Sequence, residues 1–246
     1  MFVPFALVQS PAISADADVS WRRDLTAFDA ELAKRKGDFA AKRLFIECKE
    51  DVKQILSHLH DLDQFGRSFW NAPHAHGYDG TPAEQTFFTA FRPRIALLDA
   101  ENLRTFKSLL DRWGWFDRIS WGDAADEQAW LLTQHADEDL PFQKGVLTLL
   151  EPLVKTGETN PSNFAYLFDR VAVNDHRLQR FGTQGYCTGP GTWTPRPIED
   201  PAHVDERRKA VGLAPLGDYI ASFKNICHED QTELALKNLP LPGRTP

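Results

Sequence analysis

Residues 21–32 read WRRDLTAFDAEL, and the spacing of their large apolar side chains decides the fold class. Trp21, Leu25, Phe28 and Leu32 follow one another at steps of four, three and four residues, which places them on one face of an α-helix. The same periodicity recurs in most later segments, and no period-two run of β-branched residues is long enough to build a sheet. The sequence therefore predicts an all-α fold.

Lys36-Gly37 is predicted to end the first helix, and start and stop signals bound several of the later helices. A capping-box pattern with Pro82 at the first helical position predicts a helix start, and Pro93 is placed just past the end of that helix. Gly114 predicts the end of the next helix, which begins near residue 99. Asp139 and Asn160 are predicted to cap two further helices. Together these signals predict a multi-helix array of antiparallel helices.

Residues 182–202 break the helical pattern with frequent glycine and proline. They predict one long Gly/Pro-rich loop, and a short hairpin at Thr192–Thr194 is an additional option within it. From the change in composition along the chain we divide it into an N-terminal helical region (1–90), a main helical module (91–225) and a C-terminal tail (226–246).

Charge and hydropathy limit the classes of partner. The formal net charge of the 246-residue chain is -7, with no basic stripe, which argues against nucleic acid. No stretch approaches the roughly 18 apolar residues that span a bilayer, so no membrane partner is expected. The first residues, MFVPFALVQSPAIS, lack a positive n-region and predict an N-terminal arm, not a signal peptide. These features predict a cytoplasmic location.

The three cysteines are few, odd in number and widely spaced. This pattern argues against a disulfide framework, and the absence of a CxxC pair gives no support to a zinc ribbon. Cys48 lies on an apolar helical stripe and is predicted to be packed in the core. Cys187 falls in the glycine-rich loop, where a thiol could be reactive.

Residues 129–143, AWLLTQHADEDLPFQ, hold the first candidate site. His135 and Asp137 are predicted at a junction between two helices, where they could serve as acid and base or as two metal ligands. The alternative is structural: Asp137 or Asp139 caps the following helix, and His135 covers the end of the preceding one.

Two later segments add polar candidates. Asp169 and Arg170 end an amphipathic helix, where one could face a pocket or both could form structural ion pairs with another helix. Gln179, Thr183 and Gln184 lie in QRFGTQ, around a glycine turn, and could bind a polar ligand by hydrogen bonds. The alternative is that the two glutamines hold the loop in place.

The pair His74 and His76 lies in a loop by composition and could bind zinc or copper with a third ligand from elsewhere. In a chain with eight histidines, chance explains the pair better.

Four stretches together resemble a bacterial domain family of unknown function. They are WLLTQHADEDLPFQ (130–143), AYLFDRVAV (165–173), QRFGTQ (179–184) and PIEDPAHVDERRKAVGLAPL (197–216). The resemblance covers about residues 95–223, and members typically have tyrosine where this chain has Phe181. It implies that the polar residues of these stretches belong together, but it supplies no activity, cofactor or catalytic residue.

The resemblance makes a shared polar pocket the leading hypothesis, with a small polar ligand as partner and no cofactor identified. His135 and Asp137 are its candidate catalytic residues, and whether the chain is an enzyme stays open. The candidate ligand-binding residues are Trp130, Gln134, Gln143, Asp169, Arg170, Gln179, Thr183 and Gln184. The alternative is a helical interaction scaffold with a protein partner, whose anchor would be the aromatic run at residues 113–121.

Overall fold

The computed structural model describes residues 15–41, 46–78 and 80–227. The predicted N-terminal arm and nearly all of the predicted tail lie outside these ranges. The helices are α1 (Ala15–Ala40), α2 (Lys49–Ser68), α3 (Ala72–Ala75), α4 (Pro82–Trp113), α5 (Asp123–Gln134), α6 (Leu140–Thr156), α7 (Pro161–Asn174), α8 (Val204–Ala210) and α9 (Leu216–Ser222). The strands are β1 (Gly185–Gly189) and β2 (Thr192–Pro195).

The fold is mostly α-helical, as the sequence predicts. The strands form one antiparallel hairpin in the long Gly/Pro-rich loop, with Cys187 paired to Trp193. None of the helices in the described ranges is both long and apolar enough to cross a membrane. By their contacts, the described residues up to Arg104 form one compact unit and those from Thr105 form another.

The first unit is built around an aromatic core. Phe28 of α1 is fully buried and stacks on Phe65, and Phe69 and Phe91 meet its ring edge-on at about 5 Å. Beside this core, the buried Asp24 carboxylate accepts hydrogen bonds from His76 Nδ1 and the Tyr78 hydroxyl. The helical spacing of residues 21–32 thus correctly predicts that Phe28 lies in the core.

Two helix ends predicted from proline and glycine are wrong. Helix α4 runs through Pro93, because Phe87, Phe91 and Ile95 on successive turns are buried, and their packing outweighs the hydrogen bond that proline removes. Helix α1 continues past Gly37 to Ala40, and in this last turn Phe39 stacks on His58 with ring centroids 3.8 Å apart. Such a tertiary contact outweighs the low helix propensity of a single glycine.

Cys48 is exposed and not packed in the core, which corrects the prediction from the apolar stripe. It is the N-cap residue of α2, and its thiol lies 3.3 Å from a carboxylate oxygen of Asp51. A residue at a helix start no longer follows the helical periodicity, and therefore the stripe does not extend to it.

In the second unit, α5, α6 and α7 pack on one another. Asp139 caps α6 by accepting from Phe142 N, and Asn160 caps α7 by accepting from Ser162 N, both as predicted. Trp115, Phe116 and Trp121 are buried. The aromatic run is therefore mainly core, and it does not supply the exposed anchor that the scaffold hypothesis requires.

A buried carboxylate joins three segments of this unit. Asp126 of α5 accepts hydrogen bonds from Trp115 Nε1 (2.7 Å), the Thr159 hydroxyl (2.7 Å) and Asn160 N (3.0 Å). Because Asp126 is almost fully buried, no solvent can replace these bonds if the carboxylate is removed.

The cysteine pattern argues against a disulfide framework, and the described residues contain one disulfide, which uses two of the three cysteines. Cys187 of β1 is bonded to Cys227, 40 positions later in the sequence. A single long-range pair leaves no local spacing signature, so counting cysteines could not reveal it. The bond also means that Cys187 is not a free thiol.

We predict that Asp126→Ala lowers the free energy of unfolding by about 4 kcal/mol, since three buried donors lose their acceptor. Urea unfolding followed by circular dichroism measures the change. The control is Asp123→Ala on the same turn of α5, whose carboxylate is exposed and pairs with Arg118. A similar loss in the two variants would contradict the assignment of Asp126 as a structural anchor.

Candidate functional site

The junction of α5 and α6 is held by a buried glutamine. Gln143 is 0% exposed, and its Nε2 donates to the carbonyl oxygens of Thr133 (3.0 Å) and Gln134 (3.3 Å) at the end of α5. These carbonyls have no partner within the helix because they belong to its last turn. Gln143 therefore fixes the geometry of the predicted site segment.

Asp137 in this junction faces α7. One of its oxygens accepts from Arg170 Nη1 at 2.7 Å, and the other accepts from Asn174 Nδ2 at 3.2 Å. Asp139, two residues on, caps α6 and pairs with Lys107. The structure thus brings Asp137 and Arg170 together, as an ion pair between the junction and α7. Asn174 was missed by sequence reasoning, since a lone asparagine at a helix end carries no specific signal.

The face of α7 toward the site carries the polar side chains of Tyr166, Asp169 and Arg170. Asp169 and Arg170 follow Tyr166 by three and four residues, so they lie about 60° and 40° from it around the helix. Arg170 points to Asp137, and Asp169 points to the loop at residues 179–184. Tyr166 lies between these two directions and thus joins the two groups of candidates.

Asp169 anchors the loop. It is fully buried, and its carboxylate accepts from the backbone N–H groups of Arg180 (2.7 Å), Phe181 (3.0 Å) and Thr183 (2.9 Å) and from the Thr183 hydroxyl. Burial raises the pKa of Asp169, and the hydrogen bonds from Thr183, Phe181 and Arg180 oppose that rise. Thr183 and Asp169 therefore use their polar atoms within the protein.

Gln179 ties the two ends of the same loop together. Its Nε2 donates to the carbonyl oxygens of Gln184 (2.8 Å) and Arg196 (2.7 Å), and its Oε1 accepts from Gln184 N (2.8 Å). Every strong bond that this fully buried amide makes is to backbone. The structural alternative thus describes Gln179, whereas the half-buried Gln184 side chain only donates to the Thr183 hydroxyl at 3.2 Å.

Arg208 of α8 is a second loop anchor that sequence reasoning missed. It is 1% exposed, and it donates to the carbonyl oxygens of Ala214 (2.6 Å) and Phe181 (2.7 Å). Burial lowers the pKa of its guanidinium. Since Phe181 N donates to Asp169, the backbone of one residue links a buried anion to a buried cation. The adjacent arginines in the VDERRKA stretch were the available signal.

A row of aromatic rings runs along this face of α7. Trp130 meets Tyr166 at 6.2 Å, Tyr166 meets Tyr219 at 6.1 Å, and the Arg208 guanidinium lies 4.9 Å from the centre of the Tyr219 ring. The Tyr219 hydroxyl donates to Thr183 O at 3.1 Å, and burial raises the pKa of this phenol. The row connects the α5–α6 junction to the loop.

Four buried polar atoms around Arg170 and the α5–α6 junction have no hydrogen-bond partner among the described residues. They are the donors Trp130 Nε1 and Arg170 Nε and the acceptors Gln134 Oε1 and Gln143 Oε1. Gln134 is 5% exposed and lies one helical turn after Trp130 on α5, while Gln143 contacts the Gln134 backbone. Buried polar atoms are normally bonded, so unpartnered ones on neighbouring segments are candidate contacts for an additional polar molecule.

His135 ends α5 as its C-cap residue, with its backbone N–H donating to Leu131 O. Its side chain is half-buried. In the part of the chain that the structure describes, no group of three or more His, Cys, Asp or Glu residues is arranged to hold a metal. His76 pairs with Asp24, as described above, so the imidazole that was considered as a ligand is oriented by a carboxylate.

A groove of about 320 Å³ opens elsewhere, between α6 and α7. Its apolar lining includes Leu147, Val154, Phe164 and Phe168. None of the candidate residues appears in that lining, and we do not assign the groove to the site.

Comparison with known proteins places the chain in a family. The model of a family of unknown function, DUF6624, matches residues 50–229. The chain belongs to this family. The match contains the range of the resemblance, about 95–223, and extends it toward the N-terminus to include α2. No curated protein and no solved structure matches the chain. Family membership therefore brings these polar residues together in one domain without assigning an activity.

We predict that Asp169 and Arg208 are energetically coupled through the backbone N–H and C=O groups of Phe181. Asp169→Asn and Arg208→Met should each destabilise the protein, because each leaves the opposite buried charge uncompensated. The double variant should lose about 1–2 kcal/mol less than the sum of the single variants. Urea unfolding of the four proteins gives the coupling energy.

The control cycle combines Arg208→Met with Asp175→Asn. Asp175 directly follows α7, the helix that carries Asp169, and its carboxylate pairs with Lys144 and Arg177. These two substitutions should be additive to within about 0.5 kcal/mol. Additivity in both cycles would show that the two buried charges act independently.

Proposed function

We propose that this chain is a binding domain for a small polar ligand, which contacts the α5–α6 junction and α7 beside the Trp130–Tyr166 pair. The four unpartnered atoms described above carry the proposal. Two of them donate hydrogen bonds and two accept, so their ligand must itself offer both donors and acceptors. A compact ligand with N–H groups and carbonyl or carboxylate oxygens meets this requirement.

Charge balance favours a ligand without net charge. Arg170 is paired with Asp137, and Lys107 is paired with Asp139, so the charged groups nearby compensate one another. A ligand with a net charge would remain uncompensated in a partly buried site, which costs free energy. Neutral amides, nucleobases and zwitterionic amino acids are therefore the classes that fit the site.

Asp137 serves in this proposal as a positioning residue. Its carboxylate accepts from Asn174 and from Arg170, and the second bond holds the guanidinium whose Nε the proposal assigns to the ligand. The roles of His135 and Asp137 as acid and base or as metal ligands stay predictions. The binding proposal does not require them, because it depends only on hydrogen-bond capacity.

We predict that Gln134→Met raises the melting temperature of the unliganded protein by about 2–4 °C and abolishes its response to ligand. Methionine has a similar size and removes one unpartnered buried acceptor, which stabilises by about 1 kcal/mol. Thermal unfolding is measured alone and with the standard free amino acids and nucleobases at millimolar concentration. A probe at about 100 times its Kd should raise the wild-type melting temperature by about 5–10 °C.

The matched control is Gln128→Met, a half-buried glutamine on the same helix. It should retain the wild-type response to the stabilising probe. An equal response of wild type and Gln134→Met to every probe, or a lower melting temperature of Gln134→Met without ligand, would contradict the proposal. The second result would show that Gln134 Oε1 contributes to the stability of the fold itself.

A further inference from the structure

Helix α9 is held in place by few packing contacts. It has seven residues and buries none of them fully, and the 3₁₀ turn that follows it, Phe223–Asn225, also has no buried residue. A helix of this length is not stable by itself in water. Its position must therefore come from a small number of specific ties to the rest of the second unit.

The main contacts that hold α9 are made by Tyr219 and by the disulfide bond after the 3₁₀ turn. Tyr219 reaches the site through its hydroxyl bond to Thr183 O, and Leu216 N donates to Asp205. Immediately after the 3₁₀ turn, Cys227 is bonded to Cys187, which lies on β1 three residues after Gln184. The disulfide thus fastens the end of the α9 segment to the strand that continues from the 179–184 loop.

The disulfide is enclosed by aromatic rings. Cys187 and Cys227 are 7% and 3% exposed. Trp193 stacks on Phe223 at 4.6 Å and meets Tyr219 edge-on at 5.5 Å, and these rings pack against the two cysteines. This cluster gives α9 apolar contacts beside the disulfide, and Gly191 N, in the hairpin turn, also donates to Cys227 O at 2.8 Å.

We propose that the Cys187–Cys227 disulfide makes the docking of α9, and with it Tyr219, conditional on oxidation. In the oxidised protein, Tyr219 covers Tyr166 and bonds to the loop beside the candidate site. In the reduced protein, α9 loses the tie that compensates for its small buried surface, and it detaches while α5, α6 and α7 remain folded. The effect on ligand binding, but not the detachment itself, rests on the function proposed above.

The redox step is ordinary thiol–disulfide exchange. Two molecules of a small thiol each supply one hydrogen atom, the Cys187–Cys227 bond breaks into two thiols, and the small thiol leaves as its own disulfide. The reverse step uses the oxidised form of the same reagent. Because stable disulfides are typical of oxidising compartments, this proposal weighs against the predicted cytoplasmic location.

The first experiment counts thiols. The chain contains three cysteines, and the unreduced protein, denatured and alkylated with iodoacetamide, should carry one label by mass spectrometry, at Cys48. After dithiothreitol it should carry three. Three labels in protein purified and kept with oxidised glutathione would overturn the proposal.

The second experiment follows α9 directly by hydrogen exchange. Amides of residues 216–227 should exchange about tenfold faster or more in dithiothreitol, while those of α7 should stay protected. Cys187→Ala/Cys227→Ala should show the fast exchange without reductant and melt about 5–10 °C lower than the oxidised wild type. The control Cys48→Ala should behave as the wild type in both redox states. Equal protection of residues 216–227 in all proteins and redox states would overturn the proposal.

The third measurement separates this proposal from the binding site. Any amino acid or nucleobase that stabilises the oxidised protein is tested again on Cys187→Ala/Cys227→Ala, where its thermal shift should fall by at least half. If no such probe stabilises the oxidised protein, the proposed function fails, but the exchange result still decides whether α9 is released. An unchanged thermal shift together with fast exchange would overturn the link between α9 and the site.

Discussion

The second unit depends on the backbone of Phe181, which lies between two buried charges of opposite sign. Its N–H donates to Asp169 and its carbonyl oxygen accepts from Arg208. Within the described chain, neither charge forms an ion pair with an oppositely charged side chain, so the two backbone groups of Phe181 are what connects them. A buried charge without compensation is costly, and therefore both charges act to keep the loop in one conformation. Gly182 follows at φ +70°, a conformation that favours glycine, and lets the chain turn so that Thr183 also reaches Asp169.

This constraint determines which polar groups are left for other uses. The hydrogen bonds that fix the loop are made by Asp169, Thr183 and Gln179. The Thr183 carbonyl oxygen in turn positions Tyr219. The fixed loop in turn holds the aromatic row against the face of α7, next to the junction that Gln143 closes. Four buried atoms without a partner among the described residues lie at that junction and on Arg170, and three others lie elsewhere, at Arg35 Nε, Arg67 Nε and Trp113 Nε1. A rigid frame with spare donors and acceptors is the arrangement expected of a preorganised binding site.

Sequence reasoning succeeded where the cause is local. The caps at Asp139 and Asn160 and the stop at Gly114 depend on a few neighbouring residues, and the periodicity around Phe28 depends on helix geometry alone. It failed where the cause is tertiary. The continuity of α4 through Pro93 depends on packing across successive turns, and the Cys187–Cys227 bond joins positions 40 residues apart. Arg208 belongs to the same class, because its partners are backbone carbonyls that carry no residue-type signal.

The same distinction explains why the candidate site could be located but not interpreted. Residue type shows that a glutamine can donate and accept, yet only the fold shows how much of that capacity is used. Gln179 uses both of its functional atoms on backbone, whereas Gln143 uses only its nitrogen and leaves Oε1 unpartnered among the described residues. Both are fully buried, so burial alone does not separate them. The remaining capacity of a buried amide distinguishes a structural tie from a binding group, because desolvated polar atoms are stable only when something bonds them. By that measure, the ligand-binding centre that we propose lies at the α5–α6 junction, and the loop at residues 179–184 supports it.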